Sequence, residues 1–268
     1  MFNFIYKNLN LLFFGFLIAF ASGFGQTFFI SLFSQDFRDT FELTNTEFGS
    51  LYSIATVLSA ITIIWAGKLI DTVSLRKYTL AIILGLSITC LMASFVFNVF
   101  FLFLVIYFLR LFGQGLMGHT SRTTMARYFN TNRGKALAIS GFGFSVGEII
   151  YPAAVVFLLL TIGWRLTWFS SSIFILIFFG IFFYFIFKRN NFKKENDRDE
   201  KIDLGEISWR RRDVLKDFKF YMYLPLSLLM SFTVTGFLFH QVYIAEIKLW
   251  TMINLAQGFI FYAISGIA

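Results

Sequence analysis

Gly67-Lys68-Leu69-Ile70-Asp71, with Arg76-Lys77 behind it, is a short charged hinge between two apolar runs, at about residues 48 to 70 and 78 to 97. A hydrocarbon core about 30 Å thick takes about 20 apolar residues per helical crossing, so each run is long enough to span a bilayer. A charged hinge between two spans makes the chain multi-pass. Composition agrees: 57% of residues are hydrophobic and only 14% charged. The mean hydropathy is +0.72. That balance lies far from a soluble domain.

Working outward from the hinge, eight apolar runs appear, at about residues 11–33, 48–70, 78–97, 100–121, 136–160, 165–187, 220–241 and 250–268. Two of the divisions are inferred from length. The stretch from Tyr78 to Met117 is about twice one crossing, and Asn98 is the polar turn-former near its middle. The stretch from Ala136 to Phe187 is likewise too long, and Gly163-Trp164-Arg165 is its natural turn, with Trp164 suited to a membrane interface. Both predict helical hairpins.

Basic residues then orient the chain, because Lys and Arg are retained on the cytoplasmic side. Lys7, then Lys68, Arg76 and Lys77, then Arg122, Arg127, Arg133 and Lys135, then the many cations from Lys188 to Lys219 alternate onto one face. The other face receives only Arg38, Arg165 and Lys248, with Arg110 set inside a helix. This predicts a cytoplasmic amino terminus in the inner (plasma) membrane. It also explains the net charge of +8 as topological bias rather than nucleic-acid binding. The amino terminus has some features of an export signal, in Lys7, an apolar stretch and Ala19-Phe20-Ala21. The apolar run continues to Phe33, however, and removing it would invert the remaining loops, so it is read as the first helix. The single Cys90 can form no disulfide within the chain.

The expected organisation is a six-helix transmembrane bundle over residues 1–187, a basic cytoplasmic linker over 188–219, and the start of a second bundle over 220–268. The eighth run is still apolar at Ala268, so the sequence reads as cut short. Within the linker, Ile207 to Phe220 could lie as a short helix on the inner leaflet.

Six helices, a long basic loop and a second helical set resemble the Major Facilitator Superfamily, and four local patterns carry the resemblance. The loop between that family's helices 2 and 3 reads approximately G-x-L-a-D-r-x-G-r-R/K, and Gly67, Leu69, Asp71 and Arg76 occupy matching places. Thr72, Ser74 and Leu75 depart from it. The others are Arg110 followed by Gly113-Gln114-Gly115, the series Gly141, Gly143 and Gly147, and Gly163-Trp164-Arg165. The resemblance implies an all-α polytopic membrane protein, a helical bundle with inverted three-helix repeats, working by alternating access. Phe24-Gly25-Gln26 in helix 1 recurs as Phe112-Gly113-Gln114 in helix 4, as such repeats permit. The family's antiporter signature places Pro after a glycine of helix 5. Here Gly147 is followed by Glu148 and the proline comes at Pro152, which argues against proton-driven drug export.

Arg110 and Glu148 are the two ionisable residues expected near mid-membrane, at similar depths on helices 4 and 5. A guanidinium offers a planar, permanently charged fork for a carboxylate, so the expected substrate is a small organic anion such as a monocarboxylate. Glu148 is the expected proton-coupling residue. Gln26, Tyr52, Tyr151 and Ser231 are the further substrate-binding candidates, with Ser22, Thr56 and Thr235 behind them. Gly67, Asp71, Arg76 and Lys77 are expected to form a conformational latch, Gly67 allowing close packing and Asp71 pairing with nearby cations. His119 and His240 lie at opposite ends of their helices, too far apart to share a metal, and no cofactor is expected. The forty Phe residues are read as lipid contact. A membrane-embedded enzyme would need a nucleophile with a base, a metal cluster or paired carboxylates, and the sequence offers none of these. A sugar or drug carrier of the same fold, or a sensor or scaffold derived from it, are the alternatives.

Overall fold

The computed structural model describes residues 2–129, 131–189 and 211–267, and among these every regular element is helical. The boundaries follow local chemistry. α1 is a bent span, with arms Leu9–Gly25 and Thr27–Phe41 meeting at 41°. α2 (Asn45–Ala66) starts at a capping box, in which Thr44 and Glu47 satisfy each other's backbone N–H groups. α3 (Leu75–Ser94) and α4 (Val99–Tyr128) are separated where expected, for Asn98 caps α4 by accepting from the Phe101 N–H at 2.7 Å.

The second hairpin turns on one residue. Gly163 has φ 76° and ψ 169°, a conformation open to glycine, and it divides α5 (residues 133–162) from α6 (residues 164–189). Ring contacts prove the reversal. Along α6, Trp168 meets Phe33 at 4.5 Å, Phe179 meets Phe20 at 6.1 Å and Phe183 meets Phe14 at 5.4 Å, so α6 runs back down α1. Arg165 secures the turn by donating to the carbonyls of Ser94 and Val96 at the end of α3.

After the linker come a short helix, Arg211–Lys216, then α7 (Phe218–Phe239), a short helix Gln241–Ile247, and α8 (Met252–Ile267). Most of the linker read over 188–219 lies outside the described residues, as does the first part of the expected leaflet helix. Within that stretch the described chain is not one helix: Leu215 is exposed on the short helix, and Phe218 is exposed in the first turn of α7, which Asp217 caps.

The aromatic residues divide between two roles. Many face outward, but Phe14, Phe29, Phe33, Phe37 and Phe48 are completely buried. Together with Tyr151 of α5 and Trp164, Trp168 and Phe183 of α6, they form a ladder of tilted and edge-on rings that joins α1 to α2, α5 and α6, where the sequence reading assigns phenylalanine to lipid alone. In a bilayer, helix association depends on such close packing rather than on exclusion of water.

Candidate functional site

The site is built where α1 and α4 cross. Both helices are distorted there. α1 tightens into a 3-10 turn at Ser22–Gly25 and then breaks, with Gln26 extended at φ −77° and ψ 154°. α4 widens into a π-helix over Arg110–Met117. Between them Gly25 and Gly113 touch backbone to backbone: a Cβ on Gly113 would stand 2.5 Å from the Gly25 Cα. The two copies of the Phe-Gly-Gln triplet therefore meet at their glycines, and their glutamines, Gln26 and Gln114, both line the cavity beside the crossing.

That cavity, of about 650 Å³, is walled by α1, α2, α4 and α5. Its lining runs from Gln26, Thr56 and Arg110 to His119 and Arg122 near the basic end of α4. Arg110 is 5% exposed. Its Nη1 donates to the Thr27 Oγ1 at 3.1 Å and to the Gly25 carbonyl at 3.3 Å, an acceptor left free by the break in α1. Tyr52 lies beneath the guanidinium, 5.3 Å from Cζ to ring centroid, and its hydroxyl donates to the same Thr27 oxygen at 2.9 Å. Nε is buried without an acceptor.

Glu148 lines the same cavity. The ion pairs among the described residues are Arg38 with Glu246 and Arg127 with Asp71, so Arg110 and Glu148 share a wall without pairing. Arg122 sits against the Phe144 ring of α5, 5.2 Å from its centroid. The lining thus carries two guanidinium groups and one carboxylate.

The other expected residues fall in different places. Tyr52 supports Arg110 from behind and does not line the cavity. Tyr151 is 4% exposed and faces α1. Its ring stacks on Phe20 at 4.7 Å and its hydroxyl donates to the Phe20 carbonyl, which makes it a packing residue here. Ser231 is exposed on α7 and donates to the Ser227 carbonyl of its own helix. His119, read from sequence as a helix-end residue, lines the cavity beside Thr123.

At the hinge, Gly67 is buried, with His119 of α4 3.4 Å from where its Cβ would stand. Asp71 pairs with Arg127 of α4 rather than with Arg76 or Lys77. Arg76 lies over the Tyr184 ring of α6 at 6.0 Å, and Lys77 is exposed. The sequence missed Arg127, which it counted only as a topological charge, and Gln114, which the triplet repeat marked. No group of His, Cys, Asp and Glu suited to a metal occurs among the described residues.

Comparison with known families decides the affiliation, since the model of the Major Facilitator Superfamily matches residues 15–268. The chain belongs to that superfamily. Among solved structures, this superfamily member is similar to a bacterial homolog of the human lysosomal transporter Spinster, in an inward-facing and unoccupied conformation. The TM-score is 0.68 at 16% identity, over 94% of this chain and 58% of that one. The chain therefore spans 58% of the length of that solved relative. No curated protein matches it. The shared fold is the all-α, multi-pass bundle described above.

Proposed function

We propose that the protein is a secondary carrier that moves a small organic anion, with protons, by alternating access. The observation that carries this reading is Arg110: a guanidinium 5% exposed, pinned through one nitrogen to neutral acceptors, at a cavity wall, with no carboxylate among the described residues paired to it. Burying a charge in a membrane helix is costly unless a partner or a polar path accepts it. Here the partner is the substrate. With Nη1 held by the α1 backbone, the guanidinium keeps the rest of its fork for a carboxylate, which pairs with Arg more strongly than with neutral acceptors.

Glu148 is the coupling residue in this reading. It stands in the same wall with no ion pair to a described residue, so it can take up a proton as the anion arrives and release it on the far side. The basic face, with Lys68, Arg122 and Arg127, is the cytoplasmic face of the inner membrane by the retention of cations there. A cavity whose lining reaches Arg122 is consistent with the inward-facing state named for the Spinster homolog. Membership of a transporter superfamily favours a carrier over an enzyme.

The test is uptake into proteoliposomes containing the full-length protein, under an imposed proton gradient, with radiolabelled monocarboxylates, sugars and amines. Arg110→Ala and Arg110→Lys should both abolish anion uptake, the second because an ammonium cannot replace the planar fork. Glu148→Gln should leave anion exchange but remove its response to the gradient. Uptake of a sugar or amine, unchanged in these variants, would defeat the anion reading.

A further inference from the structure

Where α2 and α4 wall the cavity, the lining residues carry buried polar atoms that no described residue satisfies. They are Thr56 Oγ1, Arg110 Nε and Gln114 Oε1. The hydroxyls nearby behave differently. Ser59 donates to the Thr56 carbonyl at 2.8 Å and Thr62 to the Leu58 carbonyl at 2.9 Å, the local bonds that hydroxyls commonly make in a helix, whereas the Thr56 hydroxyl makes none. A buried polar atom without a partner is uncommon and costly. Three along one wall mark a place where a ligand supplies what the protein does not.

The packing of the two helices puts these atoms in one section of the cavity. Tyr52 of α2 lies against the Arg110 guanidinium of α4. Further along, Ile63 Cδ1 lies 3.0 Å from where a Cβ on Gly115 would stand, and Gly67 meets His119. Both helices therefore run side by side toward the basic face. Thr56 lies between Tyr52 and Ile63, and Gln114 between Arg110 and Gly115, so both fall just beyond the guanidinium in the same direction. Arg110 and Gln114, four residues apart, are neighbours along α4.

We propose that the carried anion is a 2-hydroxy carboxylate, and that Gln114 and Thr56 select it by its hydroxyl. The proposal rests on the anion reading above and adds a specificity to the same site. Nη1 of Arg110 is taken by Thr27 and Gly25, so the carboxylate meets the side edge of the fork, Nε with Nη2, which no described residue uses. The body of the ligand extends toward the basic face, where the cavity continues to His119 and Arg122. Its second carbon then comes to the level of Thr56 and Gln114. A hydroxyl there donates to Gln114 Oε1 and accepts from Thr56 Oγ1, so one group completes both. A 2-oxo group has no proton to give the amide oxygen, and a plain methylene serves neither. An ammonium would set a second cation beside the guanidinium, where like charges repel strongly away from water. The three atoms are closed to water, so they meet the ligand as the wall tightens around it, the step that alternating access calls for.

The test is uptake into proteoliposomes holding the full-length protein, with a plain acid and its 2-hydroxy counterpart labelled differently and supplied together. Propionate is paired with lactate and hexanoate with 2-hydroxyhexanoate, and protein-free vesicles give the passive background. The wild type should favour the hydroxy acid of each pair, by about 2- to 12-fold for each hydrogen bond gained. Gln114→Leu and Thr56→Val should each lower that ratio by the same factor, while Thr56→Ser keeps it. The ratio does not depend on how much protein folds, since both acids enter the same vesicles. Equal uptake within both pairs, lost in Arg110→Ala, overturns the hydroxyl selection and leaves the anion carrier standing. Alanine taken up ahead of lactate would put an ammonium in the hydroxyl's place and overturn it too. A ratio unmoved by Gln114→Leu and Thr56→Val removes these residues as selectors and overturns the proposal. If no acid enters above background, the selection falls together with the anion reading.

Discussion

Replacing Gly113 by alanine puts the α1–α4 crossing under a defined load. The added Cβ would stand 2.5 Å from the Gly25 Cα, 2.6 Å from its N and 3.4 Å from the Ser22 carbonyl oxygen. Carbon atoms pack at about 3.5 to 4.0 Å, so the shortfall is about 1 Å. The obstacle is backbone and cannot rotate aside. The helices must part by about that distance, which forfeits a quarter to a half of each dispersion contact at the crossing. Overpacking of this kind costs about 3 kcal/mol at the upper end of its usual range. Alanine returns about 1 kcal/mol through its better helix propensity. The expected net loss, about 2 kcal/mol, should appear as a lower midpoint in a thermal melt of the detergent-solubilised protein. Gly141 and Gly180 supply the control, since a Cβ at either meets nothing within 4 Å. Alanine there should be neutral or stabilising by up to about 1 kcal/mol. The argument fails if Gly113→Ala melts with the wild type, or if Gly141→Ala falls as far.

Two further outcomes follow from the site. Tyr151→Phe keeps the ring stack on Phe20 and removes only the hydroxyl bond to the Phe20 carbonyl, so it should cost about 1 kcal/mol of stability and leave the KM for substrate unchanged. A shifted KM would place Tyr151 in the substrate path after all. Asp71→Asn removes an ion pair whose side chains are 39% and 50% exposed, so the loss in a melt should stay within about 1 kcal/mol. A double-mutant cycle with Arg127→Gln that returned a much larger coupling would refute the solvent-screened picture of this pair.

The spans were legible because membrane thickness fixes the length of an apolar run, and the turns at Asn98 and Gly163 because each carries a residue with one strong local preference. Residue counting along a helix gives a depth to expect, which a sequence reading can reach. Azimuth is beyond such counting. Arg110 and Glu148 were placed at one level, and both reach one cavity, yet which way each points depends on helix rotation, and the π-helix at Arg110–Met117 alters that rotation within α4 itself. Tyr151 shows the same limit, because a single turn beyond Glu148 carried it from the cavity to the α1 interface. The partner of Asp71 was hidden for a different reason. Arg127 is distant in sequence and becomes a neighbour only when α2 packs on α4. The recurrence of Phe-Gly-Gln was visible, but nothing in a linear pattern says that two copies of a triplet will lie against each other.

That contact is self-complementary in the manner of a two-fold interface, where a residue meets its own counterpart. α1 and α4 open their respective three-helix sets and run in opposite senses, so Gly25 facing Gly113 puts equivalent atoms of the two sets together. A contact of this sort needs only one sequence to be invented. Each helix presents the same bare backbone to the other, so one local pattern read twice in opposite directions suffices to build the crossing. The same economy ties the two glycines together, for either one can change only if the other makes room.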